Sequence, residues 1–240
     1  MSVEHYVALE RGLAEIIGQF QDAPDLYLRE ADLHAATFAA LERQEVLTAR
    51  YATRDGRWTS LLHRDYPPLF AYEQGLSQGE PAHRGHYDLA LLNPSFVRTY
   101  ALPVVVNSSP ESAASLRALP QGERPMPLLA AINLKLIDEC TPPVMEELEA
   151  DFYALVRSEP DAERAYMAAF CRHWDLDGPM RQVLQALERW AANHRSISLV
   201  FLQSYRDDVG RVFGGRYLNL WSYTAPLMPL EPPYHPPQGR

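Results

Sequence analysis

The residue of this sequence with the clearest chemical potential is Lys135, because it is the only lysine in the chain. Lysine and arginine together number 22, and all the others are arginine. Lysine carries a compact ammonium whose pKa responds to burial, whereas arginine is a planar and permanently charged fork. A site that requires an ammonium would explain the choice at position 135. A genome that favours arginine codons and kept one lysine by chance is the alternative.

Two further polar residues are placed to share a site with Lys135. Asn133 and Lys135 are the only polar residues of the apolar run 128–137, and residues two apart on a strand point to the same face. Asp88 lies in a second apolar segment, 85–92, which favours a strand with both faces covered. If the two strands are neighbours, the three side chains meet on one face of a sheet.

Two predicted helices precede these strands. Apolar residues at helical spacing predict helices over 3–19 and 29–43. In the second helix Glu30 falls on the apolar stripe that continues with Leu33, so its carboxylate is expected to face inward and to join Asp88. Pairing with a nearby arginine at the helix boundary is the alternative for Glu30.

Turn signals and apolar periodicity predict the remaining elements. The segment 46–66 reads as extended, with a hairpin turn at residues 54–57, and 94–126 reads as a Pro- and Ser-containing insertion with short helices. A helix should begin at Thr141 as N-cap. Later helices are predicted over about 160–173 and 179–193, and later strands over 197–202 and 217–223. This order indicates one α/β or α+β domain over 1–224, followed by a Pro-rich extended tail over 225–240.

Composition narrows the classes of function. The net charge of −9 argues against a broad surface that coats nucleic acid, because phosphate binding needs clustered cations, but it leaves room for a local basic cleft. No apolar run approaches the ~20 residues of a membrane span, and the first residues lack the pattern of a secretory signal. Cys140 and Cys171 form no zinc-type cluster. A cytoplasmic protein without a membrane partner and with reduced thiols is the expectation.

The order of the polar residues resembles the PD-(D/E)XK nuclease superfamily, whose fold is restriction-endonuclease-like. The resemblance extends over about 30–156 and implies a central mixed sheet flanked by helices. The phrase His63-Arg64-Asp65-Tyr66-Pro67 is also similar to one in uncharacterised bacterial members. The motifs that carry the resemblance are Leu28-Arg29-Glu30-Ala31-Asp32-Leu33, Gly85-His86-Tyr87-Asp88-Leu89-Ala90 and Asn133-Leu134-Lys135.

The resemblance implies a metal-dependent phosphodiesterase that acts on DNA. Mg²⁺ or Mn²⁺ would be held by Asp88, Asn133, the carbonyl of Leu134 and Glu30, and would activate a water and polarise a phosphate oxygen. Lys135 would orient the water or stabilise charge on the phosphate. Lys135, Asp88 and Glu30 are therefore the catalytic residues that the resemblance implies.

The sequence departs from this family at Asn133, where Asp or Glu is expected. An amide oxygen can still bind Mg²⁺ but carries no charge, so metal affinity should fall. Lys135 also loses its adjacent counter-ion, which predicts a lowered pKa for this buried lysine. The missing carboxylate would have to come from Asp65, Glu30 or Asp138.

Other readings of these residues stay open at the level of sequence. One is a catalytically inactive nuclease-fold protein that binds or assembles within a defence or repair system, as a homodimer or with a protein partner. Another is an unrelated α/β protein in which Asp88 only bonds backbone amides at a strand end and Asn133 and Lys135 lie on a solvated edge. Five further residues that could act in catalysis or base stacking are expected to have structural roles instead. They are the histidines His63 and His86 and the core aromatic residues Tyr87, Trp221 and Tyr223.

Overall fold

A five-stranded mixed sheet forms the centre of the protein in the computed structural model. The structure describes residues 3–70, 86–108, 111–139, 141–172, parts of 182–194, 197–206, 209–210 and 212–213. The helices are α1 (Val3–Asp22), α2 (Glu30–Glu42), α3 (Glu45–Thr48), α4 (Pro94–Thr99), α5 (Leu102–Val105), α6 (Ala114–Arg117) and α7 (Pro142–Val156), with 3₁₀ turns at Pro24–Leu26 and Gln121–Glu123. The strands are β1 (Tyr51–Ala52), β2 (Trp58–Thr59), β3 (Leu62–Tyr66), β4 (Tyr87–Leu92), β5 (Leu128–Ile137), β6 (Ala162–Cys171), β7 (Ile197–Gln203), β8 (Tyr205–Arg206) and β9 (Val212–Phe213).

The central sheet has the order β3-β4-β5-β6-β7. The pairs β3/β4 and β4/β5 are antiparallel, whereas β5/β6 and β6/β7 are parallel. Parallel neighbours need a crossover connection, and α7 provides the one between β5 and β6. The expected α+β fold with a mixed sheet flanked by helices is confirmed.

Helices cover both faces of this sheet. Phe20 of α1 packs edge-on against Phe170 of β6, with ring centroids 5.3 Å apart, and Phe170 lies beside Leu136 of β5 in the parallel register. Lys135, one residue earlier and therefore on the opposite face, bonds to α7. Helices α1 and α7 therefore lie on opposite faces, which explains why β5 is buried along nearly all of its length.

One predicted helix is wrong. Residues 160–173 were expected to be helical, but Ala162–Cys171 form strand β6. Every residue from Ala165 to Cys171 is buried, because β6 lies between β5 and β7 with helices on both faces. A continuous apolar run of this kind does not distinguish a buried strand from a buried helix by its periodicity.

The other element predictions differ mainly in detail. The extended segment 46–66 contains the hairpin β1–β2 and strand β3, but it begins with the short helix α3. Helix α7 begins after Thr141, although this residue makes no side-chain capping bond. The described residues between 182 and 193 are helical, as expected, and the predicted strand over 217–223 and the tail over 225–240 lie outside the described residues.

The contact between α1 and α2 leaves no space for a side chain at Gly12. A methyl group there would lie 2.5 Å from Cδ2 of Leu41, a fully buried residue. We expect Gly12→Ala to lower the free energy of unfolding by about 1–3 kcal/mol through overpacking. At Gly18 on the same helix, a methyl group would have nothing within 4 Å, so Gly18→Ala should instead be stabilising by roughly 0.5–1 kcal/mol. Denaturant unfolding of the two variants measures both effects, and equal changes would contradict the packing argument.

Candidate functional site

Beyond the point where β4 stops pairing with β5, two carboxylates accept hydrogen bonds from the backbone N–H groups of β5. The last paired residues are Leu89 and Ile132. Beyond them the N–H of Leu134 donates to Oδ2 of Asp88 at 2.7 Å, and the N–H of Leu136 donates to Oε2 of Glu30 at 3.2 Å. Asp88 and Glu30 therefore lie side by side along one edge of β5.

Lys135 lies on α7's side of the same strand segment and joins this edge to α7. Its Nζ donates to Oε2 of Glu147 at 2.9 Å and lies 3.5 Å from Oε2 of Glu30 and 3.8 Å from Oδ2 of Asp151. The lysine side chain is only 13% exposed. The ammonium is thus fixed among three carboxylates. One of them, Glu30, also accepts a hydrogen bond from β5 beside Asp88.

Asn133 is buried and lies near both Asp88 and Lys135. Continuing the β4/β5 register by one residue sets it opposite Asp88. Its Nδ2 donates to the backbone carbonyl of Asp151 at 3.4 Å, and this acceptor defines which end of the amide faces α7. The Oδ1 atom is buried and has no hydrogen-bond partner in the described part of the chain.

A histidine and a further carboxylate complete the surroundings of Asp88. His34 follows Glu30 by one helical turn, and its Nε2 lies 3.6 Å from Oδ2 of Asp88. Asp65, at the end of β3, adopts a positive φ of 49° and adds negative charge near Asp88. The site therefore contains more carboxylates than cations.

Burial, together with this excess of negative charge, raises the pKa values of Asp88 and Asp151. Burial raises the pKa of Asp88, the charges of Glu30 and Asp65 raise it further, and the Leu134 amide and His34 oppose the rise. Burial is the main cause that raises the pKa of Asp151 to about 6; Lys135 opposes this rise, and the charges of Asp88, Glu30 and Glu147 add to it. Additional positive charge would stabilise the ionised form of both groups.

The predicted lowering of the Lys135 pKa is wrong. Burial does lower it, but the hydrogen bond from Lys135 to Glu147 and the charges of Glu30 and Asp151 raise the pKa of Lys135 overall. Asn133 provides no counter-ion, as the sequence indicated, yet helices α2 and α7 supply three. The lysine is therefore firmly cationic.

The structure brings Glu30, Asp88, Asn133 and Lys135 to one place, and Asp88 accepts one backbone amide there, that of Leu134. Of the carboxylates expected to replace an acid at position 133, Asp138 is engaged elsewhere, with Arg172. Glu30 reaches the ammonium directly.

The residues read as structural have the following surroundings. His63 bonds Thr59 and the carbonyl of Ser60, and burial lowers its pKa. Tyr87 is buried and donates to Asp161. His86 is exposed and Cys171 is buried, whereas Trp221, Tyr223 and Cys140 lie outside the described residues.

Sequence reasoning missed three residues of the site: His34, Glu147 and Asp151. A signal for them exists, because Glu30 and His34 are four residues apart on α2, and Glu147 and Asp151 are four residues apart on α7. Residues at this spacing share one helix face. Only the packing of both helices against β5 shows that the two faces converge.

The oxygen atoms around β5 are of the kind that Mg²⁺ prefers. Both hydrogen-bonding groups of a strand residue face the same neighbour, so the Leu134 carbonyl points to the side of Asp88. The two carboxylates, this carbonyl and Oδ1 of Asn133 are all oxygen donors, the kind that Mg²⁺ prefers. The described residues contain no group of three or more His, Cys, Asp or Glu side chains arranged to hold a metal. A metal here would consequently depend on the carbonyl and amide oxygens.

Comparisons with known proteins add no relative: no protein-family model matches the chain, and neither does any curated protein or solved structure. Among the described residues, no helix has the length and apolar character required to cross a membrane.

Proposed function

We propose that this protein is a PD-(D/E)XK-like nuclease that hydrolyses DNA phosphodiester bonds with Mg²⁺ or Mn²⁺. The observation that carries the proposal is the position of the only lysine: it is nearly buried, fixed by Glu30 and Asp151, and one residue from the amide that Asp88 accepts. A helical Glu, a strand Asp and a strand with Lys135 followed by a helix occur in the order that the resemblance requires, with Asn133 in place of the expected acid.

In this proposal the metal ligands are the oxygen donors around β5. Asp88 and Glu30 would supply charge, and the Leu134 carbonyl and Asn133 would supply neutral oxygens. A bound Mg²⁺ or Mn²⁺ supplies a water of lowered pKa and polarises a phosphate oxygen. The two carboxylates already accept hydrogen bonds from β5, which holds them in place before the metal binds.

Lys135 would bind a phosphate oxygen in this site. Its shortest contact is with Glu147, a side chain that is 62% exposed, and an ion pair with an exposed partner is weak. A substrate phosphate can therefore replace Glu147, while Glu30 and Asp151 keep the ammonium in position. Asp151 in this way serves as the counter-ion that an acid at position 133 would otherwise provide.

The first test is Asp88→Asn. Metal-dependent cleavage of single- and double-stranded DNA should fall at least about a hundredfold, because a charged metal ligand is lost while its shape is kept. Asp138→Asn is the matched control, since Asp138 pairs with Arg172 away from the site. Cleavage by Asp88→Asn at the wild-type rate, or wild-type cleavage that persists in EDTA, would contradict the proposal.

The second candidate function is that of a catalytically inactive binding or assembly protein with the same fold. The observation that favours it is Asn133, which leaves the donor set one charge short. Asn133→Glu separates the two functions: cleavage by this variant with none by the wild type would support the inactive protein. Robust turnover by the wild type would exclude it.

A further inference from the structure

The β1–β2 hairpin presents an uncovered tryptophan on its outer face. Trp58 is 62% exposed and pairs across the hairpin with Ala52, which is also exposed. Paired residues share one face, and the small methyl group of Ala52 leaves the indole open. Tryptophan side chains are highly buried on average in folded proteins, so an indole as exposed as this one is available to a ligand.

The hairpin is also a local concentration of positive charge in an acidic protein. Arg50, Arg54 and Arg57 are exposed. Arg57 pairs with Asp55, the one acidic residue within 50–58, so Arg50 and Arg54 carry the net positive charge of this segment. Arg98 of α4 lies beside the hairpin on the face opposite Trp58, with its guanidinium 5.4 Å from the ring centre of Tyr51. The whole chain carries a net charge of −9, so this cluster differs in sign from the average surface.

Buried and backbone contacts hold the hairpin in one conformation. Thr53 is 5% exposed, and its hydroxyl donates to Asp55 and to the carbonyl of Arg57. The Arg54 amide donates to the carbonyl of Tyr100, and the Leu102 amide donates to Asp55. Trp58 is consequently presented by a fixed turn, which reduces the entropic cost of binding.

We infer that the β1–β2 hairpin binds single-stranded DNA, with a base stacked on Trp58 and phosphates bound by Arg50 and Arg54. Exposed aromatic rings beside a cationic surface are the recognition chemistry of single strands. Strand β3 leads from the hairpin toward Asp88 over about 15 Å, and Arg64 is exposed along it. The statement that the bound DNA is a substrate rests on the proposed function, whereas the binding of DNA by the hairpin does not.

The test is fluorescence anisotropy of a labelled oligothymidine with the full chain in EDTA, so that no cleavage is needed. Trp58→Ala should weaken binding about tenfold, and Trp58→Phe should retain most of it, because phenylalanine still stacks. Arg50→Ala with Arg54→Ala should reduce the slope of log affinity against log salt by about 0.7 for each arginine. Arg11→Ala, at an exposed arginine of α1, is the control and should leave the affinity unchanged.

Three results would overturn the inference: no binding by the wild type, equal affinity of Trp58→Ala and the wild type, or equal binding of duplex and single strand. The outcome is separate from the nuclease test. If Asp88→Asn abolishes cleavage while Trp58→Ala binds like the wild type, only the hairpin assignment falls. If Trp58→Ala loses binding while Asp88→Asn still cleaves, the hairpin assignment stands and the proposed site falls.

Discussion

Replacement of Lys135 by alanine should reduce metal-dependent DNA cleavage by about 10²–10³-fold, the usual cost of removing one donor that stabilises transition-state charge. The Lys135 side chain is 13% exposed, and its ammonium lies within 4 Å of Glu30, Glu147 and Asp151. Without it, a phosphate would enter a site that holds only carboxylates and a histidine. Single-turnover cleavage at saturating DNA measures the loss.

Lys135→Arg is the matched variant, because it keeps the charge and changes its shape. Arginine forms a longer, planar fork that pairs side-on with carboxylates, so it should bind Glu30 and Asp151 and present no donor at the position where the lysine ammonium would meet a phosphate. We therefore expect Lys135→Arg to stay well below the wild-type rate. A fully active arginine variant would show that the chain needs only a cation at this position, and that its single lysine is an accident of codon usage.

Loss of the Asp161 carboxylate should have the largest effect on stability. Asp161 is fully buried and accepts the backbone amides of Leu69 and Phe70, at 3.1 and 2.7 Å, and the hydroxyl of Tyr87, at 3.2 Å. Asp161→Ala leaves these buried donors without their acceptor and should lower the free energy of unfolding by about 3–5 kcal/mol. Urea unfolding monitored by circular dichroism measures the change.

Asp161→Asn is the control for this prediction. Its amide oxygen can still accept the two backbone N–H groups, and its NH₂ can donate to the Tyr87 hydroxyl, so the loss should be clearly smaller. A similar midpoint for the alanine variant and the wild type would mean that water replaces the carboxylate. The result bears on the site as well, because Tyr87 immediately precedes Asp88.

The parts of the fold that could be predicted from sequence are those with unambiguous local signals. Helices α1 and α2 have amphipathic spacing, and Pro142 follows Thr141 at the start of α7. Strand β6 could not be predicted, because burial by neighbours on both sides removes the alternation that identifies a strand. The apolar residues of this segment indicate that it is buried, but they do not indicate whether it is a helix or a strand.

Part of the candidate site could likewise be predicted from the sequence, and part could not. The apolar run around Asn133 and Lys135 predicted their shared face, and the stripe of α2 predicted an inward Glu30, because both depend on the period of a single element. Asp151 could not be assigned to the site, since its closeness to Lys135 depends on how α7 crosses back over β5.

The sequence by itself determined the chemical composition of the site: one lysine, an amide two residues before it, and acids at positions 30 and 88. Only the tertiary structure decided how the charges balance. Helices α2 and α7 surround Lys135 with three carboxylates, so its pKa rises where the sequence predicted a fall. The physical reason is that electrostatic energies depend on distances across packed elements, and no local pattern along the chain encodes those distances.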